Sequence, residues 1–317
     1  MDKRERLLAT LQGEKTDGML CGFWHHFKDS CKYGHASIQA HVEFFQHTDA
    51  DILKVMNEHT YRIDCSIEKS SDWKKVNPSS FDASPYPQYI EEFKALKKAL
   101  PKDVPLFATV HGVLVSAYHA TELPGNFSNP HNMVSRHLKQ DPSSVAVGLQ
   151  AIAETLILLC QQLVKAGADG IYYAALGGES YRFERSLFET YVKPYDKQVI
   201  DSINDLKAKS ILHICKDQVV LPMYQGIQAD IVNWAVHESE YSLSDGRILF
   251  PEATLLGGFD DRSGVLVEGS EAEIEQEVEA IVAEAGRKRF IIGADCTLPT
   301  DIELWRLNAA RSHAALM

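Results

Sequence analysis

The stretch Val164-Lys165-Ala166-Gly167-Ala168-Asp169-Gly170-Ile171-Tyr172-Tyr173-Ala174-Ala175 passes from one kind of periodicity to another within four residues. Upstream, Val147, Ile152, Leu156, Leu159 and Leu163 recur at helical spacing from Pro142 to Ala166. Gly167 to Gly170 close that helix, and the apolar run Ile171–Ala175 reads as a short buried strand. A long amphipathic helix feeding directly into an apolar strand is the repeating unit of an α/β fold.

Working outward, the same alternation recurs. Strands are expected at Met19–Phe23, Asp51–Met56, Pro105–Val110, Ile171–Ala175, Ser210–Cys215, Asp230–Trp234, Thr254–Gly257 and Phe290–Ala294. Helices are expected between them, among them Arg4–Gln12, Ser37–Gln46, Tyr89–Leu100, Arg185–Leu206, Leu221–Gly226 and Ser270–Ala285. The last carries Ser270 and Glu273 as a capping box, and a final helix starts at Pro299. Asn77–Gln88 reads as loop, and Leu114–Asn132, with Pro124-Gly125-Asn126 and Pro130, as the longest irregular piece. Eight strands alternating with helices predict a (β/α)8 TIM barrel, with residues 1–317 as one domain. An open doubly wound sheet is the rival, but no Gly-x-Gly-x-x-Gly turn follows the first strand.

With 45% hydrophobic residues in 317, the chain can fill a large core. A formal charge of −12 argues against nucleic acid or an anionic membrane as partner. No run of 18 apolar residues predicts a transmembrane helix, and no apolar segment follows the charged start, so a cytoplasmic location is expected. The six cysteines lack a disulfide rhythm and read as reduced thiols.

The barrel makes one short motif interesting. In Ser210-Ile-Leu-His-Ile-Cys-Lys-Asp217, His213 and Cys215 stand two apart on a strand and so point to one face. A chain with 13 His and 6 Cys supplies about 0.25 such pairs by chance. Active sites of such barrels lie at the C-terminal strand ends. Those ends gather His25, His26, Asn57, Glu58, His111, Glu179, His213, Cys215, Asp260, Asp295 and Cys296. His213, Cys215 and Cys296 would give three N/S ligands with a fourth place free, as in catalytic zinc sites. Buried inert thiols, and carboxylates that cap helices or pair with Arg, remain the alternative from spacing alone.

Arg4-Glu5-Arg6-Leu7-Leu8 with Leu11-Gln12-Gly13-Glu14, Ala166-Gly167-Ala168-Asp169, and Gly257-Gly258-Phe259-Asp260 resemble the uroporphyrinogen decarboxylase superfamily over nearly the whole chain. The decarboxylases themselves carry an Arg-rich segment after strand one. Here Gly22-Phe23-Trp24-His25-His26-Phe27 stands there, Asn57 aligns with the catalytic Asp, and Ala294-Asp295 replaces a late Gly-His. His213, Cys215 and Cys296 are instead similar to the His-x-Cys…Cys of the corrinoid-dependent methyltransferase branch, methylcobamide:coenzyme M methyltransferase among them. That resemblance implies Zn2+ held by these three residues. It also implies a methyl group moved between a corrinoid (methylcobalamin) partner protein and a small thiol or folate-type acceptor. Glu179 is the expected fourth ligand at rest, with Asp295 and Glu58 behind it. His25, His111 and Asp260 are expected in the cavity, and the Leu114–Asn132 loop in the docking surface. A decarboxylase-like alternative would depend on Lys54, Arg182 and Arg262, and a non-catalytic corrinoid- or metal-binding barrel is the other.

Overall fold

A computed structural model describes residues 1–78, 84–122, 129 and 131–317. Among these, eight parallel strands form one sheet: β1 (Leu20–Gly22), β2 (Leu53–Val55), β3 (Leu106–His111), β4 (Gly170–Ala175), β5 (Lys209–Ile214), β6 (Ile231–Trp234), β7 (Thr254–Phe259) and β8 (Phe290–Ala294). Their order, β1-β8-β7-β6-β5-β4-β3-β2, leaves only β1 and β2 without a backbone ladder between them. The sheet is thus a nearly closed (β/α)8 barrel, as expected. At the remaining seam the buried Asp51 carboxylate accepts from the Cys21 N–H at 2.9 Å.

Strand alternation divides the core in two. Leu20, Ile52, Phe107, Tyr172, Ile211, Ile231, Leu256 and Ile291 fill the barrel interior, with Leu7 and Leu11 of the first helix packed beneath them. The outward-facing residues meet the surrounding helices in a larger second cluster. Pro142–Lys165 is apolar and long enough to cross a membrane, yet Leu149, Ile152, Leu156, Leu159 and Leu163 are wholly buried against the barrel. Its hydrophobicity is that of a core helix.

Several expected boundaries move. Val113–Thr121 is helix rather than loop, starting after Gly112 and burying Val113, Leu114, Ala117 and Tyr118 on one face. A further helix, Met133–Gln140, is capped by Asn132, whose side chain accepts from the Ser135 N–H at 2.9 Å. Pro124-Gly125-Asn126 and Pro130 lie outside the described residues. The helix expected over Arg185–Leu206 is two, Arg185–Tyr191 and Lys193–Asp205, because Pro194 has no N–H to continue the first. Leu221–Tyr224 is a 3-10 turn, and the last helix begins at Leu304.

Candidate metal centre

The register sets His111, Ala174, His213 and Asn233 side by side across β3, β4, β5 and β6. Laterally paired residues of parallel strands face one way, so this row rings the inner wall at the C-terminal end. Cys215, two positions beyond His213, continues the same face. Cys296 arrives two residues after β8 ends.

The ligand atoms of His213, Cys215 and Cys296 all lie within 4.8 Å of one another, and Cys296 Sγ is 3.4 Å from His213 Nε2. Tetrahedral zinc with ordinary Zn–S and Zn–N bonds sets such atoms roughly 3.5–3.8 Å apart. The donor set and its spacing therefore fit zinc, with a fourth direction open to the cavity. The Cys215 S–H donated to Cys296 pushes Cys215 up, and the same bond, with His213 nearby, holds Cys296 well below the ordinary thiol range. A thiol whose pKa is lowered is the more ready to bind a cation.

His213 is held from behind. Its Nδ1 lies 2.5 Å from Asn233 Oδ1, while Asn233 Nδ2 donates to the Leu256 and Ala294 carbonyls at 2.9 and 3.1 Å. The imidazole stacks on Tyr172 with centroids 5.3 Å apart, and Trp24 meets both rings edge-on.

The triad opens on a cavity of about 300 Å³ also lined by Lys54, Asn57, Glu58, His111, His119 and Tyr172. A polar recess of about 480 Å³, reaching Asp217, Glu238 and Arg262, shares the triad with it. Lys54 Nζ lies 4.0 Å from the Tyr172 ring centroid and 5.1 Å from that of Trp24. Among the described residues no carboxylate comes within ion-pair distance of it. Burial pulls its ammonium down to about 8, against the attraction of the two thiols. Burial first, then His119 and Lys54, keep the His111 imidazole neutral. A larger recess of about 740 Å³ lies at the other end, among the segments leading into β5, β6 and β7, where barrels carry stability rather than chemistry.

The other expected residues divide. His26 and Glu58 reach the cavity and pair at 2.5 Å. Asn57 lines it too, with its amide engaged by the Thr109 carbonyl and the His59 N–H. His25 is not in the cavity: alternation sends Trp24 and His26 inward and His25 outward, against Phe27 and Phe44. Asp260 is turned into its own loop, accepting from Arg262 N–H and from Ser263.

Glu179 lies outside the ligand cluster. It is buried against Arg182 at 2.9 Å and accepts from the Gly177 N–H at 2.9 Å. Gly177, at φ +111°, and an antiparallel bridge from Glu179 to Val219 carry the chain away from the axis there. Asp295 accepts from the His237 backbone and ring at 2.7 and 3.0 Å instead of facing the triad. Asn233 and Tyr172 were not expected. Both stand two positions from an interior strand residue or on one, so strand parity alone could have found them.

A family model described as uroporphyrinogen decarboxylase (URO-D) matches residues 55–314. The chain belongs to that family. Within it, the chain is similar to the methylcobamide:CoM methyltransferase MtbA of Methanosarcina mazei, at 26% identity over 159 residues. That match covers 47% of this chain and 42% of the relative. The Methanosarcina acetivorans MtbA is 24% identical over 158 residues, covering 47% and 41%. The match thus spans about two fifths of the curated relatives' length. Among solved structures, a methyltransferase from Methanosarcina mazei superposes with TM-score 0.79 over 99% of this chain and 98% of its own, at 16% identity. A B12-independent methionine synthase from Shewanella sp. does so with TM-score 0.62 at 13% identity, covering 93% and 96%. These likenesses carry the fold.

Proposed function

We propose that this family member is a zinc-dependent methyltransferase that moves a methyl group between a corrinoid, supplied by a partner protein, and a small acceptor, with a thiol favoured over a folate. The observation that carries this reading is the convergence of His213, Cys215 and Cys296, from two distant strands, at the open end of the barrel. The names of the curated relatives support it. Zinc held there supplies a Lewis acid that keeps a bound acceptor thiol as thiolate near neutral pH, where a free thiol (pKa ~8.5) is mostly protonated.

The chain's own residues do the rest. Cys215 and Cys296 offset the metal's charge. Lys54, resting on the Tyr172 ring in the cavity, favours an acceptor with a negative group at a short distance from its sulfur. Met56, Val115 and Leu176 supply apolar wall and limit water. On this reading the protein works in the cytoplasm.

The decarboxylase reading finds less support. Of its three cations, Arg182 is sealed against Glu179, Arg262 pairs with Asp261 at the rim, and only Lys54 faces the cavity. A substrate with many carboxylates needs several. Zinc-loaded protein mixed with methylcobalamin and a panel of thiols should bleach the methylcobalamin spectrum and yield cob(I)alamin. If no thiol or folate acceptor does so, a binding role replaces transfer.

A further inference from the structure

The side chain of Asn233 is wholly buried on β6, paired in register with His213 on β5 and Leu256 on β7. An asparagine amide can be placed either way round, and hydrogen-bond chemistry decides which. Here the decision is forced. Two of its contacts, the Leu256 and Ala294 carbonyls, are oxygens that only accept, so both must face the NH2 end. The oxygen end then faces His213 Nδ1 at 2.5 Å. An amide oxygen also only accepts, so the imidazole proton sits on Nδ1. Nε2, 3.4 Å from Cys296 Sγ, is then the ring nitrogen left to face the thiols and a metal.

The carbonyls that orient Asn233 are informative in themselves. Leu256 belongs to β7. Ala294 ends β8, two residues before Cys296. One side chain therefore fixes the tautomer of the nitrogen ligand and grips the segment that delivers a sulfur ligand from the far side of the barrel. We propose that Asn233 is the positioning residue of the centre: it selects the metal-ready tautomer of His213 before any ion arrives and couples that ring's setting to the position of Cys296. The inference rests on the reading of the triad as a metal centre.

The test begins without metal. In apoprotein labelled with 15N-histidine, wild type should show the neutral His213 ring with its proton on Nδ1. In Asn233→Leu, which keeps the volume but none of the hydrogen bonds, the two nitrogens should move toward a mixture. Zinc affinity, read by chelator competition, should fall roughly 10- to 100-fold, the usual cost of losing an outer partner of a ligating histidine. Asn233→Asp serves if the leucine variant does not fold: it keeps an acceptor for Nδ1 but turns lone pairs on both carbonyls. It should hold the tautomer and still lose affinity through the Cys296 arm. An Nε2–H tautomer in wild type, or unchanged zinc affinity in a folded variant, overturns the proposal. Wild type that binds no zinc yet shows the Nδ1–H tautomer overturns the metal reading instead, so the two failures are separable.

Discussion

Cys296 Sγ lies 3.4 Å from His213 Nε2, although 83 positions separate the two residues in the chain. This contact bridges β5 and the end of β8, and the proposed centre needs both residues. Purified protein is expected to carry about one zinc per chain. His213→Ala and Cys296→Ser should each lower the affinity by more than the 10- to 100-fold typical of an outer partner. Metal analysis and chelator competition measure both, and retention of full zinc in either variant would remove the centre.

Lys54 is a cavity cation with no carboxylate among the described residues at ion-pair distance, and it rests on the Tyr172 ring. Replacing it by Met should weaken a thiol carrying a carboxylate or sulfonate roughly 10- to 100-fold, the worth of a charged hydrogen bond, and leave a neutral thiol nearly unchanged. Titration calorimetry of zinc-loaded protein with the two kinds of thiol reads the difference. Equal losses for both thiols refute a charge role.

Glu179 and Arg182 form an ion pair that water does not reach. Glu179→Gln leaves a buried guanidinium short of its countercharge and should cost about 3–5 kcal/mol in urea denaturation. Its zinc content should stay at the wild-type level, because Glu179 stands outside the ligand cluster. Loss of zinc in a folded Glu179→Gln protein would restore it as a ligand.

Asp196 is buried against Tyr173, whose hydroxyl donates to it at 2.5 Å, and burial lifts its carboxyl from 3.8 to about 7. Between those values the folded protein holds a proton that the unfolded chain has lost. This residue's contribution to stability is therefore greatest at low pH and declines as pH rises from about 4 to 7. Asp196→Asn should remove that slope and be the more stable protein above pH 7, by an amount on the order of a few kcal/mol. Melting temperatures of the two proteins across pH 4–8 decide it; parallel curves count against the burial argument.

Much of this was legible in the chain. Strand apolarity and helix periodicity predict all eight strands in order, and the two-residue repeat of a strand, carried one residue past β5, puts Cys215 beside His213, where their ligand atoms meet. The same repeat, carried past the end of β1, would have turned His25 outward and kept Trp24 and His26. Glu179 was misplaced for a different reason: a positive-φ glycine redirects the chain, and sequence spacing does not record direction. The helix Val113–Thr121 hid because its β-branched residues weaken a helical signal that burial against the barrel restores. Parity places Asn233 on the inner wall, but the role proposed for it is hardest to read, because its partners come from three strands and two carbonyls in separate parts of the chain.

The missing ladder between β1 and β2 gives the barrel an uneven stiffness. His213, Cys215, Asn233 and Cys296 stand on the continuously hydrogen-bonded arc from β5 to β8, whereas Trp24, His26, Lys54 and Glu58 flank the seam. The side of the mouth that carries the proposed ligands is thus laddered throughout, whereas the side across the seam is not. On the proposed reading, a bulky guest would be accommodated by spreading β1 from β2, with little change among His213, Cys215 and Cys296. Amide exchange should then be faster at Leu20–Gly22 than along β5, and equal protection of the two would mean that the two sides move as one.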